Sequence, residues 1–266
     1  MSIENKYFMY NGKLQLAENF EKLKPQGDKL LYEVVRIIDG KPLFFKEHVE
    51  RLNNSIKLTN LNIFIDLENL LGELLKLSEE NKVNNGNVKI VLDGNNRFMF
   101  FIKHSYPTED MYENGVKTIL YFGERNNPNA KIINNDFRSK VNEKIKENNA
   151  YEAILIDRNG NITEGSKSNI FMIKGNDVIT SPVIKVLPGI TRMKVIEVCK
   201  LLNLNVIEKE INHKEIGSLD GLFISGTSPK VLPICSVDDY IVDSQKNHII
   251  KDIMNKFEEM INISLI

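Results

Sequence analysis

Two-residue turn signals repeatedly interrupt the apolar runs of this chain: Asn11-Gly12, Asp39-Gly40, Asn159-Gly160 and Gly175-Asn176 each separate two strand-like stretches. Asn, Asp and Gly tolerate the positive φ that tight hairpins require, so each signal predicts paired antiparallel strands. "YFMYNGKL" reads as a strand and turn, and "LLYEVVRIIDGKPLFFKEHVERL" as two strands followed by a helix from near Lys46. Val49, Leu52 and Ile56 recur there at helical spacing, and "LENLLGELLKLSEEN" is a second amphipathic helix. "GNVKIVLDGNNRFMFFIKH" returns to strand, turn and strand, so the first ~115 residues make a compact α+β unit.

The segment "YFGERNNPNA" at 121–130 is polar and turn-rich, and Pro128 cannot sit inside a helix. It is expected to link a smaller N-terminal α+β domain, 1–120, to a larger C-terminal domain, 131–266. The second part opens with the helix "DFRSKVNEKIKENNA" and the strand pairs "YEAILIDRNGNITEG" and "SNIFMIKGNDVIT". The helix "TRMKVIEVCKLLNL", the strands "GLFISGT" and "KVLPICSVDDYIV", and a closing helix, "HIIKDIMNKFEEMINISL", follow. Neither half alternates strand and helix regularly, which argues against a doubly wound sheet.

With 266 residues, 42% of them apolar, the chain can bury a real core without staples. Its 35 Lys and Arg nearly balance 36 Asp and Glu, so no overall field favours nucleic acid or an anionic membrane. No run approaches the ~18 apolar residues of a membrane span, and the start carries no cationic region followed by an apolar stretch. A cytoplasmic protein is expected. Cys199 and Cys235 sit in apolar settings that fit reduced core thiols, and the four histidines lack metal-ligand spacing.

Several residues could carry chemistry. "LPGITR" (187–192) opens directly into a helix and "SGTSPK" (225–230) follows a strand, so both could seat a phosphate on backbone N–H groups. The plainer alternative is that Thr191 caps the helix and Gly226 permits a turn. Arg51, in "EHVERL", could grip a phosphate with its guanidinium or could pair with Glu47 on a solvated face. Lys131 has Ile132 and Ile133 beside it, which would favour a neutral, nucleophilic amine in a buried site. Glu164, between a strand and the turn Gly-Ser-Lys-Ser, is a carboxylate in need of a partner.

Taken together, "YEVVRIIDGKPLFFKEHVERL", "LIDRNGNITEGSKSNIFMI", "LPGITR" and "ISGTSPKVLPI" resemble the successive signatures of the class IV aminotransferases, from about residue 7 to residue 242. These are fold type IV pyridoxal-phosphate enzymes and include branched-chain and D-amino-acid aminotransferases and aminodeoxychorismate lyase. The resemblance implies pyridoxal 5′-phosphate as cofactor, an amino acid and a 2-oxo acid as partners, a cleft between two domains as the site, and a homodimer. It makes Lys131 the Schiff-base lysine, with Asn134 completing the K-x-x-N segment; Lys140, in a charged helical stretch, does not fit. Glu164 would bind the pyridine nitrogen, and Leu187 would pack on the ring. Arg51, Gly189, Ile190, Thr191, Gly226 and Thr227 would hold the phosphate, while Tyr32, Thr227 and Ser228 would line the substrate pocket.

The sequence also departs from the family pattern. The usual G-D-G-V-F/Y-E reads "GDKLLYE", and Asp136 follows Asn135 where branched-chain enzymes have Tyr. Arg97 is followed by Phe98 and Met99, not by the Arg-x-His of D-amino-acid aminotransferases. A transaminase for a small or branched amino acid is therefore expected. A lyase of the aminodeoxychorismate type and a non-catalytic pyridoxal-phosphate-fold binding protein are the alternatives.

Overall fold

The computed structural model describes residues 3–27, 30–61, 63–94, 96–125 and 128–265. Asp28, Lys29, Asn95, Asn126 and Asn127, from the segments "GDKLLYE", "LDGNNRFM" and "YFGERNNPNA", lie outside the described residues. Contacts within the chain form two units. The first comprises Met1–Ser105, Ala130–Ile133 and Ile263–Ile266; the second comprises Tyr106–Asn129 and Asn134–Asn262.

The first unit begins with the hairpin β1 (Tyr7–Tyr10) and β2 (Lys13–Leu16), the short helix α1 (Phe20–Leu23), and the hairpin β3 (Leu31–Ile38) and β4 (Lys41–Pro42). Both hairpin turns have positive φ at their two central residues: Asn11 and Gly12 at 47° and 76°, Asp39 and Gly40 at 49° and 78°. That is the backbone a two-residue hairpin needs, and it is why those residue types were informative. Helices α2 (Phe45–Leu58) and α3 (Leu67–Asn81) follow, then strands β5 (Gly86–Asp93) and β6 (Asn96–Ile102). The sheet order is β2-β1-β6-β5-β3-β4. One face, with Leu31, Val35, Val88 and Ile90, packs on Val49, Leu52, Leu70 and Leu74 of the two helices. The other face gathers Phe8, Phe20, Tyr32, Phe98 and Phe100.

The second unit contains α4 (Glu109–Asn114), β7 (Val116–Phe122), α5 (Asn135–Glu147), β8 (Glu152–Ile156), β9 (Ile162–Gly165), β10 (Asn169–Lys174) and β11 (Asp177–Thr180). It continues with α6 (Ile190–Leu201), β12 (Asn205–Glu208), β13 (Gly221–Gly226), β14 (Lys230–Val237), β15 (Tyr240–Ile241) and α7 (His248–Ser264). Among the described residues its nine-stranded sheet runs β12-β11-β10-β13-β14-β7-β8-β9, with β15 on β14. Strand β9 also pairs with β10 through Asn169↔Glu164, so the path from β10 to β9 closes on itself. Ile154, Ile170, Met172, Leu222, Ile224, Leu232 and Ile234 belong to one core cluster in this unit.

The contacts divide the chain at 105/106 rather than at 120/121, because β7 is paired in parallel with both β14 and β8. Residues 130–133 join the first unit because they add to its sheet: the Tyr32 N–H donates to Lys131 O at 3.0 Å and the Ile133 N–H to Leu30 O at 2.9 Å. Helix α4 and strand β12 are too short to show a period in the sequence. Both cysteines are free, and burial pushes the Cys199 thiol up to about 12. No described helix is long and apolar enough to cross a membrane.

Phe171 and Phe223 are fully buried register partners on β10 and β13, stacked with centroids 4.9 Å apart and planes at 2°. Replacing Phe171 with Ala is expected to lower the unfolding free energy by about 3–5 kcal/mol, as lost transfer energy plus cavity. A shift of the urea midpoint at unchanged slope measures it.

Candidate active site

Strand periodicity sets the candidate residues of the first unit. Residues 31, 33, 35 and 37 of β3 share one face, which places Glu33 between Leu31 and Val35 against α2, with no exposure. A carboxylate there is stable only with a compensating charge. Arg51 supplies it through Nε to Oε1 at 2.8 Å and Nη2 to Oε2 at 2.7 Å, and His48 Nδ1 lies 2.8 Å from Oε2. Since an ionised carboxylate only accepts, His48 donates from Nδ1. Arg51 is thus buried against Glu33 and is not on a solvated face. Burial alone would raise the Glu33 carboxyl, but Arg51's charge and the bonds from Arg51 and His48 outweigh it and hold the group well below the usual carboxylate range. Burial also holds His48 below its ordinary value, against the pull of Glu33.

On the opposite face of β3, Tyr32 is 8% exposed, and the Lys131 Nζ lies 4.9 Å from the centre of its ring. The amine is held there because the 130–133 segment is bonded to the β3 backbone. Lys89, which the sequence reading did not single out, lies 5.0 Å from the same ring. Asn134 caps α5 by accepting from the Phe137 N–H at 3.1 Å, and Lys140 is exposed on that helix.

In the second unit Glu164 is 4% exposed on β9. Its Oε2 accepts the Leu187 N–H at 3.0 Å, and Arg125 Nη1 stands 3.3 Å from Oε1. Asn169, the register partner of Glu164, donates from Nδ2 to Leu187 O at 2.9 Å, so the Leu187 backbone is held at both its N–H and its carbonyl. A Cβ on Gly189 would come 2.0 Å from Asn169 Oδ1, which requires glycine there. Gly189 is the N-cap of α6, with no side-chain cap and no acidic residue in the first turn. Thr191, buried with Ile190, is therefore not the cap. Gly226 ends β13, and Thr227 and Ser228 are half-buried in the turn that follows. Next to them, the buried Ser225 Oγ has no hydrogen-bond partner among the described residues. No group of three or more His, Cys, Asp or Glu among the described residues could hold a metal.

Glu33, Arg125 and Asn169 escaped the sequence reading because their roles come from contacts over long separations. Only Glu33 left a local trace, as the acid in an otherwise apolar strand, "LLYEVV".

The description of the amino-transferase class IV family matches residues 30–237. The D-alanine aminotransferase of Bacillus licheniformis is 30% identical over 258 residues, covering 89% of this chain and 90% of that protein. Branched-chain-amino-acid aminotransferase-like protein 2 of Arabidopsis thaliana is 26% identical over 241 residues, covering 83% of this chain and 43% of that protein. The crystal structure of the Escherichia coli branched-chain amino acid aminotransferase shares the fold with a TM-score of 0.85 at 22% identity, over 97% of this chain and 95% of that one.

Breaking the buried ion cluster should be costly and dependent on pH. Glu33→Gln removes the negative charge that faces the buried Arg51 guanidinium, and is expected to lower the unfolding free energy by about 3–5 kcal/mol. Both Glu33 and His48 are depressed by folding, so each contributes stability that is complete above its unfolded value and lost as the pH falls. Denaturant unfolding measured across pH should show stability declining below about pH 6.5 for His48 and again below about 4.3 for Glu33. The second decline should shrink in Glu33→Gln.

Proposed function

Because the chain belongs to the amino-transferase class IV family, we propose that it moves an amino group between a small or branched amino acid and a 2-oxo acid, with pyridoxal 5′-phosphate as cofactor. Two observations within the matched span carry this reading: the first unit fixes the Lys131 amine through backbone bonds, and the second unit buries an ion-paired carboxylate, Glu164. The donor set fits the cofactor. An uncapped helix start and an orphaned hydroxyl beside Gly226 suit a phosphate, and an anionic Glu164 suits a protonated ring nitrogen.

When bound, the cofactor supplies an electron sink for the carbanion formed at the substrate's α-carbon. Lys131 would hold the cofactor through its amine, and its Nζ would be the base that takes the α-carbon proton. Glu164 would hold a proton on the ring nitrogen, and Leu187 would support the ring. Arg51, with its plane fixed by Glu33, would suit the phosphate, as would the backbone N–H groups of Ile190, Thr191 and Thr227 in the second unit. Gly189 and Gly226 keep those turns open. Tyr32, Thr227 and Ser228 line the substrate side.

The D-alanine relative and the branched-chain neighbour support a small or branched donor. Arg97 is bonded to Glu73, and Phe98 and Met99 are buried in the two cores, which fits the missing carboxylate clamp of D-amino-acid enzymes. The working form is a homodimer in this reading; a single-subunit mass by sedimentation counts against it.

Borohydride reduction of the holoenzyme followed by peptide mapping is expected to place the pyridoxyl group on Lys131. Lys131→Ala should lose transamination by about 10²–10⁴-fold or more. An adduct on Lys140 overturns the assignment. Release of pyruvate and p-aminobenzoate from aminodeoxychorismate, without amino transfer, makes the protein a lyase.

A further inference from the structure

Arg125 lies beyond the end of β7, in a segment anchored by the Gly123 N–H on Ile156 O at 2.9 Å. Its guanidinium reaches Glu164 across 39 residues of sequence, with Nη1 at 3.3 Å from Oε1 and side-chain exposures of 22% and 5%. The other carboxylate oxygen accepts a neutral peptide N–H from Leu187. We propose that Arg125 is a positioning residue that keeps Glu164 anionic, so that the proton shared by Glu164 and the cofactor's ring nitrogen resides on the nitrogen. The proposal rests on the reading of Glu164 as the partner of that nitrogen.

A carboxyl as buried as Glu164 favours its neutral form unless a positive charge stands close by. A peptide dipole helps the anion, but a full charge at ion-pair distance helps it far more. The carboxyl and the ring nitrogen share one proton, which can form either a neutral acid beside a neutral ring or a carboxylate beside a protonated ring. Both states hold the same atoms and protons and differ only in where the proton sits. Arg125 touches the carboxylate, so it stabilises the negative end of the charge-separated state more than it repels the positive end. Only that state gives the ring its full capacity to accept electrons.

The test uses holoenzyme reconstituted with pyridoxal phosphate carrying an isotope-labelled ring nitrogen, read by nitrogen NMR, with the rate of the amino-donor half reaction measured in parallel. Arg125→Met removes the charge while keeping an unbranched side chain, and Arg125→Lys keeps the charge. In the Met variant the nitrogen signal is expected to move toward the unprotonated ring, with the half reaction slowed by about tenfold, the effect of a one-unit change in the shared equilibrium. The Lys variant should retain the wild-type signal. A wild-type signal in Arg125→Met, or the Met signal in Arg125→Lys, overturns the role of Arg125. Glu164→Gln separates the two levels: if it leaves the nitrogen signal unchanged, the reading of Glu164 fails and the proposal with it. If Glu164→Gln moves the signal and Arg125→Met does not, only the proposal fails.

Discussion

A charged Glu33 on the apolar face of β3 is the constraint on which the first unit depends. It is completely buried between Leu31 and Val35, and it can remain ionised there only because Arg51 and His48 of α2 meet it. Apolar packing alone would tolerate some sliding of the helix along the sheet. A bidentate guanidinium and carboxylate do not, because their bonds are directional. The same pairing fixes the orientation of Arg51, so the group proposed to grip a phosphate is held before any ligand arrives. A buried pair of this kind adds little net stability over an apolar substitute, and its contribution is geometric.

The second unit uses a similar device at a turn. Glu152, 4% exposed on β8, accepts from the N–H groups of Ala153, Ser166 and Lys167 and from the hydroxyls of Ser166 and Ser168. One carboxylate therefore holds the turn that leaves Glu164. Gly165 fits in that turn because a Cβ would come 2.1 Å from Ser168 Oγ. Asn169 then pairs with Glu164 and holds Leu187, so strand β9, strand β10 and the segment leading into α6 are joined through two side chains, Glu164 and Asn169, and the backbone between them. A reaction that depends on placement needs a frame of this stiffness, since small displacements of a reacting group cost large factors in rate.

Much of this was open to a sequence reader, for local reasons. The hairpins at Asn11-Gly12 and Asp39-Gly40 follow from residue types that accept positive φ, and α2 and α3 follow from apolar residues at helical spacing. The order and spacing of the motifs around Arg51, Lys131, Glu164 and Thr191 were enough to indicate the class IV aminotransferases, which the family match over 30–237 supports.

What the tertiary structure alone decided is which distant groups meet. Strand β7 joins the second sheet through parallel pairing with β8 and β14, and such pairing leaves no turn signal. The Lys131 segment returns to β3 by backbone hydrogen bonds, which any residue type can make. Glu33 with Arg51 and His48, and Glu164 with Arg125, are charges matched across many residues of chain, and their closeness is a property of the folded path. Composition and periodicity report how each residue sits relative to its neighbours in sequence. They carry no record of which far residue will neutralise a buried charge, because that choice is made by packing.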